Sequence, residues 1–503
     1  MLWLGLCLPR LPLEVFGRAG VPRADERPLA LCDRLAVLQP GDAAAALGVH
    51  AGMKRATALA LVPRLCLVER DPARERDALC QVACWALQFT PAVSLQSGEP
   101  GPAGVAPADS GLLLEVEASL RLFGGRDALL ARVRQGLAEL DFDARIACAP
   151  TPSGAWLLAR HRDGACALDA AQLNARLAAL PVALLEHARA HLATLESIGV
   201  HTLKDLAQLP RAGLARRFGK ALLAELDRAF GRQADPRPWF EAPPRFDARL
   251  ELLAQVDDAQ ALLFAARRLV VQLAGWLAAR HAATRSLRFV AEHDDHPPTS
   301  LALSFADGTR DTDRITALLR EKLAVTQLPC AAHTLGLHCD EVSAQAGASA
   351  QLFPVPESAR EGLGRLIERL QARLGREQVR RLLLAEDHRP EAAYRFEIVD
   401  AAQALPAAAS APAAASAGAL PRPLWLLRSP VALGERNNRP YWNGPLTLLA
   451  GPERIESGWW DGALVQRDYF VASDTADMLL RIYRERVPDA DAGPGWFIHG
   501  RFG

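Results

Sequence analysis

The sequence predicts a chain of mixed α+β class built from several domains, and three observations carry that reading. It has 503 residues, 50% hydrophobic and 23% charged, which is apolar material for about three cores at roughly 150 residues each. Helical and strand periodicities alternate through the first two thirds of the chain instead of segregating. Beyond residue 420 the composition changes: five of the ten Trp and three of the four Tyr fall in the last 83 residues.

Taken in order, residues 2–8 read as a buried first strand. Pro9, Pro12 and Glu14 end that apolar run, and no basic segment precedes it, so it is not read as a secretion signal. Pro28 to Cys32 is a second strand, and a helix-rich stretch runs from Asp42 through Gly52 to about Leu65. Residues 72–90 carry helical periodicity up to Thr90-Pro91. Gln96 to Ser110, with three Gly and three Pro, is a loop. Gly111 to Val116 is a strand, Arg126 to Leu140 a helix, Ala144 to Cys148 a strand and Ser153 to His161 a helix. Short helical pieces fill Pro181 to Phe240.

Between Phe246 and Cys339 the order is β-α-β-β-α-β, the split βαβ arrangement. Residues 357–384 form a charged amphipathic helical region. Residues 401–420, with twelve Ala, two Pro and no charge, form a linker. Runs such as Leu446 to Leu449 and Trp496 to His499 give the tail a small β-rich domain. Its adjacent Trp459 and Trp460 are read as strand residues pointing to opposite faces, one of them free for a partner.

Lys+Arg and Asp+Glu balance at 58 each, which excludes a broadly basic nucleic-acid-coating protein. Any hold on DNA is therefore local. Residues 185–240 carry nine Lys/Arg against six acids, residues 245–342 eleven against thirteen. Nine scattered cysteines give no disulfide framework, and no apolar run reaches the roughly 18–20 residues that span a bilayer. The expectation is a cytoplasmic protein without a membrane segment. The spacing of Cys330, His333, His338 and Cys339 fits no usual zinc pattern, Glu292 to His296 reads as a solvated turn, and Asp141 and Asp143 read as loop residues after a helix. No nucleotide-binding loop or hydrolase signature occurs. No metal and no cofactor are expected.

Four ordered phrases resemble the Y-family translesion DNA polymerases. Leu47-Gly48-Val49-His50-Ala51-Gly52-Met53 followed by Pro63 resembles their fingers, and Gly111 to Val116 their second palm strand. Leu195-Glu196-Ser197-Ile198-Gly199-Val200-His201-Thr202-Leu203-Lys204-Asp205-Leu206 resembles the thumb's helix-hairpin-helix, and residues 246–339 the little finger. More narrowly, Pro9 to Glu14, Ser119 to Gly125, Asp387-His388-Arg389-Pro390-Glu391, Ala450 to Trp460, Arg467-Asp468-Tyr469-Phe470 and His499-Gly500-Arg501-Phe502 resemble the ImuB branch of that family.

The resemblance implies a palm over 1–180 with fingers inserted at about 11–78 and a thumb over 181–244. It further implies a little finger over 245–345, a clamp-motif loop and helical region over 346–400, the linker over 401–420 and a partner-docking domain over 421–503. It also locates departures. The metal-binding carboxylates of such polymerases fall on Gly5, Cys7, Ser110 and Gly111, with Glu115 a residual acid. The triphosphate-gripping Tyr and Arg fall on Asp42 and Ala45, the palm lysines on Pro152 and Trp156.

The implied function is a non-catalytic adaptor in DNA-damage-induced mutagenesis, with DNA, the sliding clamp, an ImuA-type protein and an error-prone C-family polymerase subunit as partners. Expected DNA-binding residues are Gly199, Val200, His201, Thr202, Lys204, Arg216, Arg217 and Lys220, where a glycine turn would present backbone N–H groups to phosphate. Gln351, Leu352 and Phe353 resemble a clamp-binding peptide. Trp459, Trp460, Arg467, Tyr469 and Phe470 are the expected partner contacts. Two alternatives stand beside this: a weakly active polymerase recruiting Asp109, Glu115 and Glu117, and a damaged-DNA-binding module that recruits nothing.

Overall fold

A computed structural model describes residues 1–17, 28–97, 109–344, 357–399, 420–486 and 495–502. The chain divides into two units, residues 1–355 and 356–503. The first is organised around an antiparallel sheet of β1 (Trp3–Leu8), β5 (Val93–Ser97), β6 (Ser110–Glu115) and β7 (Arg145–Ala149), in the order β5-β6-β1-β7. β1 is internal and buried at all six positions, which is why it reads as an unbroken apolar run. Leu4, Leu6, Leu112 and Leu114 pack with α4 (Pro72–Ala86) and α5 (Arg126–Glu139). Trp3, Cys7 and Leu113 pack on the other side with α6 (Pro152–His161). The Asp71 side chain caps α4 and Thr151 caps α6, each with Pro in the first turn.

A second sheet, of β2 (Leu29–Cys32), β3 (Val37–Pro40) and β4 (Cys66–Glu69), shares a core with α2 (Asp42–Ala46) and α3 (Arg55–Leu61). α1 (Leu11–Gly17) joins it through Leu13, which packs on Leu31 and Leu38. β3, β4 and β5 are not anticipated from the sequence; each has only four or five residues. The helical segment follows as α7 (Ala170–Ala178), α8 (Leu192–Ser197), α9 (Leu203–Gln208), α10 (Arg211–Phe218) and α11 (Lys220–Ala229). Its leucines merge with the core on the α6 side.

Next come β8 (Phe246–Val256), α12 (Leu262–Ala279), β9 (Ala282–His293), β10 (Thr299–Thr309), α13 (Thr312–Ala324) and β11 (Ala332–Cys339), with β12 (Ser343–Ala344) on β9. The sheet order β10-β9-β11-β8 is antiparallel throughout. Each helix therefore links two parallel strands with a third between them, the expected split βαβ, twice over. The stretch Ala259–Ala279 is long and apolar enough to cross a membrane by length and composition, yet 67% of its 18-residue apolar window is buried inside the protein. Gly275 permits this burial, because a Cβ there would stand 2.7 Å from the Trp85 Cα of α4.

The second unit holds α14 (Glu357–Leu374), the hairpin of β13 (Arg380–Leu384) and β14 (Tyr394–Ile398), and a six-stranded sheet. Its strands are β15 (Trp425–Arg436), β16 (Arg439–Tyr441), β17 (Thr447–Ser457), β18 (Val465–Ser473), β19 (Leu479–Glu485) and β20 (Trp496–Arg501), in the order β16-β15-β20-β19-β18-β17.

Three expectations need correction. The helix expected over 357–384 stops at Leu374, where Gly375 adopts φ 91°, and Arg380–Leu384 is a strand whose Arg381 pairs with Glu397 at 2.7 Å. The expected linker lies outside the described residues except for Leu420, and the segments on its two sides form one unit instead of separate domains. They are bonded by Arg389 to Asp461 (2.5 Å) and Arg467 to Glu391 (2.7 Å). Finally, Cys148 and Cys166 form a disulfide, since β7 and the chain after α6 run side by side there.

Candidate functional site

Gly5 and Cys7 face Leu113 and Gly111 across the β1–β6 ladder, with Ser110 opposite Leu8. Backbone already occupies the space next to them. A Cβ on Gly5 would stand 2.5 Å from the Ala155 carbonyl oxygen of α6, and one on Gly111 would run into the Leu6 carbonyl. Cys7 is fully buried, and its thiol is pushed up to about 12, first by burial and then by the charge of Asp109. Asp109 pairs with Arg160 at 2.8 Å, while Arg160 also donates to the Leu184 carbonyl at 2.5 Å. Asp109 and Arg160 line a cavity of about 60 Å³, well below the roughly 300 Å³ a small-molecule pocket needs.

Glu115 sits at the far end of β6, accepting from the Glu117 N–H at 3.2 Å. Six strand residues put it roughly 20 Å from Asp109, too far to share a metal. Among the described residues no three His, Cys, Asp or Glu side chains converge as metal ligands. Asp42 is exposed, and the Arg10 guanidinium at 2.9 Å holds its carboxyl below the usual range.

The glycine turn of the helical segment differs from expectation. Gly199 has φ 77° with open space around it, but the neighbouring amides are already used. The N–H groups of His201 (3.2 Å) and Thr202 (2.9 Å) both donate to the Asp205 carboxylate, which closes a capping box on α9. Gly199 N–H donates to Glu196 and Val200 N–H to Leu195. A phosphate finds no free donor among these four. Likewise the Glu186 and His187 amides donate to the Glu225 carboxylate at 2.9 and 3.0 Å. The second turn, at Gly219 (φ 90°), is different. α11 begins there without a side-chain cap or an acid in its first turn, and Arg216, Arg217 and Lys220 beside it are exposed and form no ion pair among the described residues. Lys204 is exposed as well.

The solvent side of the β8–β11 sheet sets two arginines beside small residues. Ala302 of β10 lies beside Arg288 of β9, and Gly336 of β11 beside Arg249 of β8. The acids Asp247 and Glu251 share that side, so it is charge-mixed, as the composition indicated.

In the second unit the expected contacts separate into two groups. Trp459 and Trp460 occupy the turn between β17 and β18, not a strand, so both are exposed, at 76% and 53%. Their rings meet edge to face with centroids 5.4 Å apart. Arg389 holds the turn, bonding Asp461 and the Ala463 carbonyl (3.2 Å), with its guanidinium 5.7 Å from the Trp460 ring. That same guanidinium draws the Asp387 carboxyl down to about 2.

Tyr469, expected at the surface, is instead fully buried, because β18 is internal to the sheet. Its hydroxyl shares a hydrogen bond with His499 Nδ1 at 2.7 Å and accepts from Arg467 at 3.2 Å. Burial pushes Tyr469 up to about 12 and His499 down to about 4. Phe470 is half-buried against Trp496. Sequence reasoning missed the β13–β14 hairpin, one side of which exposes Leu382, Leu384, Tyr394, Phe396 and Ile398 in register. The alternation of Tyr394-Arg395-Phe396-Glu397-Ile398 was the available signal. Gln351, Leu352 and Phe353 lie outside the described residues.

The impB/mucB/samB (IMS) family pattern matches residues 18–160. The chain is 31% identical over 481 residues to a protein described as Protein ImuB from Caulobacter vibrioides strain NA1000 / CB15N, covering 91% of this chain and all of that one. The same values hold for Protein ImuB of strain ATCC 19089 / CIP 103742 / CB 15. Among solved structures, a Dbh ternary complex matches 67% of this chain and 98% of its own at 18% identity, with a TM-score of 0.36. A DinB family error-prone DNA polymerase from Sulfolobus solfataricus matches 68% and 98% at 17% identity, with a TM-score of 0.37.

Proposed function

The chain belongs to the ImuB family, and from that premise we propose that it is a polymerase-shaped adaptor without polymerase chemistry. It would act in DNA-damage-induced mutagenesis in the cytoplasm, gripping DNA and linking the sliding clamp to an ImuA-type protein and an error-prone C-family polymerase subunit. The observation that carries the non-catalytic part is the closure around Gly5 and Gly111. Where a two-metal site needs carboxylates and an open cavity, the neighbouring backbone leaves no room for a side chain. Purified protein in a primer-extension assay with Mg²⁺ or Mn²⁺ tests this; templated incorporation that co-purifies with the chain overturns it.

DNA contact falls on Lys204, Arg216, Arg217 and Lys220 and on the Arg249 and Arg288 side of the β8–β11 sheet. With few free cations, affinity is modest and the salt dependence shallow. Partner docking falls on Trp459 and Trp460, supported by their exposure on a pinned turn and by the apolar side of the β13–β14 hairpin. Arg467 and Tyr469 contribute by holding the unit together. Gln351, Leu352 and Phe353 anchor the clamp. Replacing Leu352 and Phe353 together by Ala is expected to cost about 2 kcal/mol or more of clamp affinity, measured by titration with the purified clamp.

A further inference from the structure

Residues 230–245 connect α11 to β8, and nearly every turn of this strap is tied to the rest of the first unit. Asp235, 7% exposed, accepts from the Ser153 N–H (3.1 Å) and hydroxyl (2.7 Å) at the start of α6 and from Arg237 (2.7 Å). Arg237 donates also to Ser153 Oγ (2.8 Å) and to Gln96 of β5 (3.3 Å). Trp239 stacks on Trp3 of β1 with centroids 5.9 Å apart, and Phe240 N–H donates to the Val93 carbonyl of β5 at 2.7 Å. The Pro243 carbonyl accepts from Trp276 (3.0 Å) and Arg280 (2.7 Å) of α12 and its C-cap.

We propose that Asp235 is a positioning residue for DNA binding: seated on the start of α6, it fastens the strap and so fixes the β8–β11 domain against the central sheet before any DNA arrives. The proposal rests on the DNA-binding reading above. An unfastened segment of this length is a tether, which lets the domain it carries sample many orientations and makes DNA pay for ordering them. Three features argue for a seat specific to a carboxylate. The Ser153 amide at a helix start favours an anion, the Ser153 hydroxyl points its proton the same way, and Arg237 supplies the countercharge. The domain's own contacts match a fixed pose: Gln272 of α12 donates to Gln81 of α4 (3.2 Å), and Arg268 pairs with Asp141 at 2.7 Å.

The test uses the full chain with spin labels at the exposed Ala138 of α5 and Ala317 of α13. In the unsubstituted protein the label distance is narrowly distributed and the same with and without primer–template DNA. Asp235→Asn, which keeps size but loses charge, and the milder Ser153→Ala broaden it. Asp235→Asn weakens DNA binding by about tenfold with an unchanged salt slope, since the phosphate-facing cations are all still in place. An unaltered distance distribution in both variants overturns the fastening. A broadened distribution with undiminished DNA affinity overturns its role in binding. If the unsubstituted chain binds no DNA, the underlying reading fails, and the label distances then judge the strap alone.

Discussion

The central sheet of the first unit and the six-stranded sheet of the second fill their interiors with opposite chemistry. β1 buries six residues without a charge among them, and where carboxylates would need space it has glycine pressed against backbone. The second sheet buries Arg481 and Tyr469 completely and His499 at 1% exposure, beside Tyr483 and a largely buried Arg467. A sheet covered by helices on both faces gives a charge no partner and no path to water. The second sheet instead gathers counter-groups: Glu453 reaches Arg481 at 2.7 Å, Glu391 of the β13–β14 loop reaches Arg467, and tyrosine rings face both guanidinium groups at 4.6 to 4.7 Å. The contrast separates structure from function. Buried charge in the second sheet braces the surface that displays Trp459 and Trp460, while the central strand β1 of the first carries none.

The strongest way to break this comparison is to remove a buried charge from the second sheet. Arg481→Ala leaves Glu453 with Arg422 alone and removes the cation over Tyr469, an expected loss of about 3 kcal/mol. Hydrogen exchange on the full chain should show faster opening of β17 to β20 with β1, β6 and β7 unchanged. Equal protection in both units would mean that the buried arginine contributes little.

Acid sharpens the same contrast. His499 is held neutral by burial, its value falling from an ordinary 6.5 to about 4, with Arg467 and Arg481 opposing protonation and Glu391 favouring it. Above pH 6.5 folded and unfolded chains are both neutral there. Between 6.5 and 4 only the unfolded chain takes up the proton, so stability present at neutral pH is lost as pH falls through that window, by at most about 3 kcal/mol. His499→Gln should flatten the pH dependence of unfolding of the second unit. A profile unaltered by that change would assign the acid sensitivity to another group.

The reciprocal experiment puts charge into the first sheet. Gly5→Asp, alone or with Ser110→Asp and Gly111→Glu, is expected to destabilise by about 1–3 kcal/mol or more through overpacking and to restore no nucleotide incorporation. Gain of templated synthesis in the triple variant would show that α6 yields and that only the ligands were missing.

What the sequence disclosed follows the same division. β1 and β6 were legible because burial on both faces leaves an unmistakable apolar run, and the paired split βαβ because its periodicities alternate cleanly. Arg380-Arg381-Leu382-Leu383-Leu384 was misread, since every residue in it favours helix and the strand depends on Glu397 across the hairpin. Trp459 and Trp460 were identified as partner candidates but placed on a strand, because Gly458 and Gly462 on either side were not read as a turn. Glu225 and Asp235 could not have been foreseen as occupants of backbone amides, since each meets its site across more than thirty residues. Asp205 was readable but not read, because Thr202-x-x-Asp205 has the spacing of a capping box.

Those occupied amides set the smallest effect. Gly199→Asn retains the positive φ that Asn tolerates, and there is open space for its side chain. Since His201 and Thr202 already donate to Asp205, this change should leave primer–template affinity within about twofold. Lys220→Ala or Arg217→Ala instead removes an unpaired cation beside the uncapped start of α11. Each should weaken binding uniformly across sequences and lower the slope of log affinity against log salt by about 0.9 for each phosphate the side chain had neutralised. Filter binding at several salt concentrations compares the three variants directly. A marked loss from Gly199→Asn with an unchanged slope for Lys220→Ala would move the phosphate contact back to the first turn. It would also require Asp205 to release its amides when DNA binds.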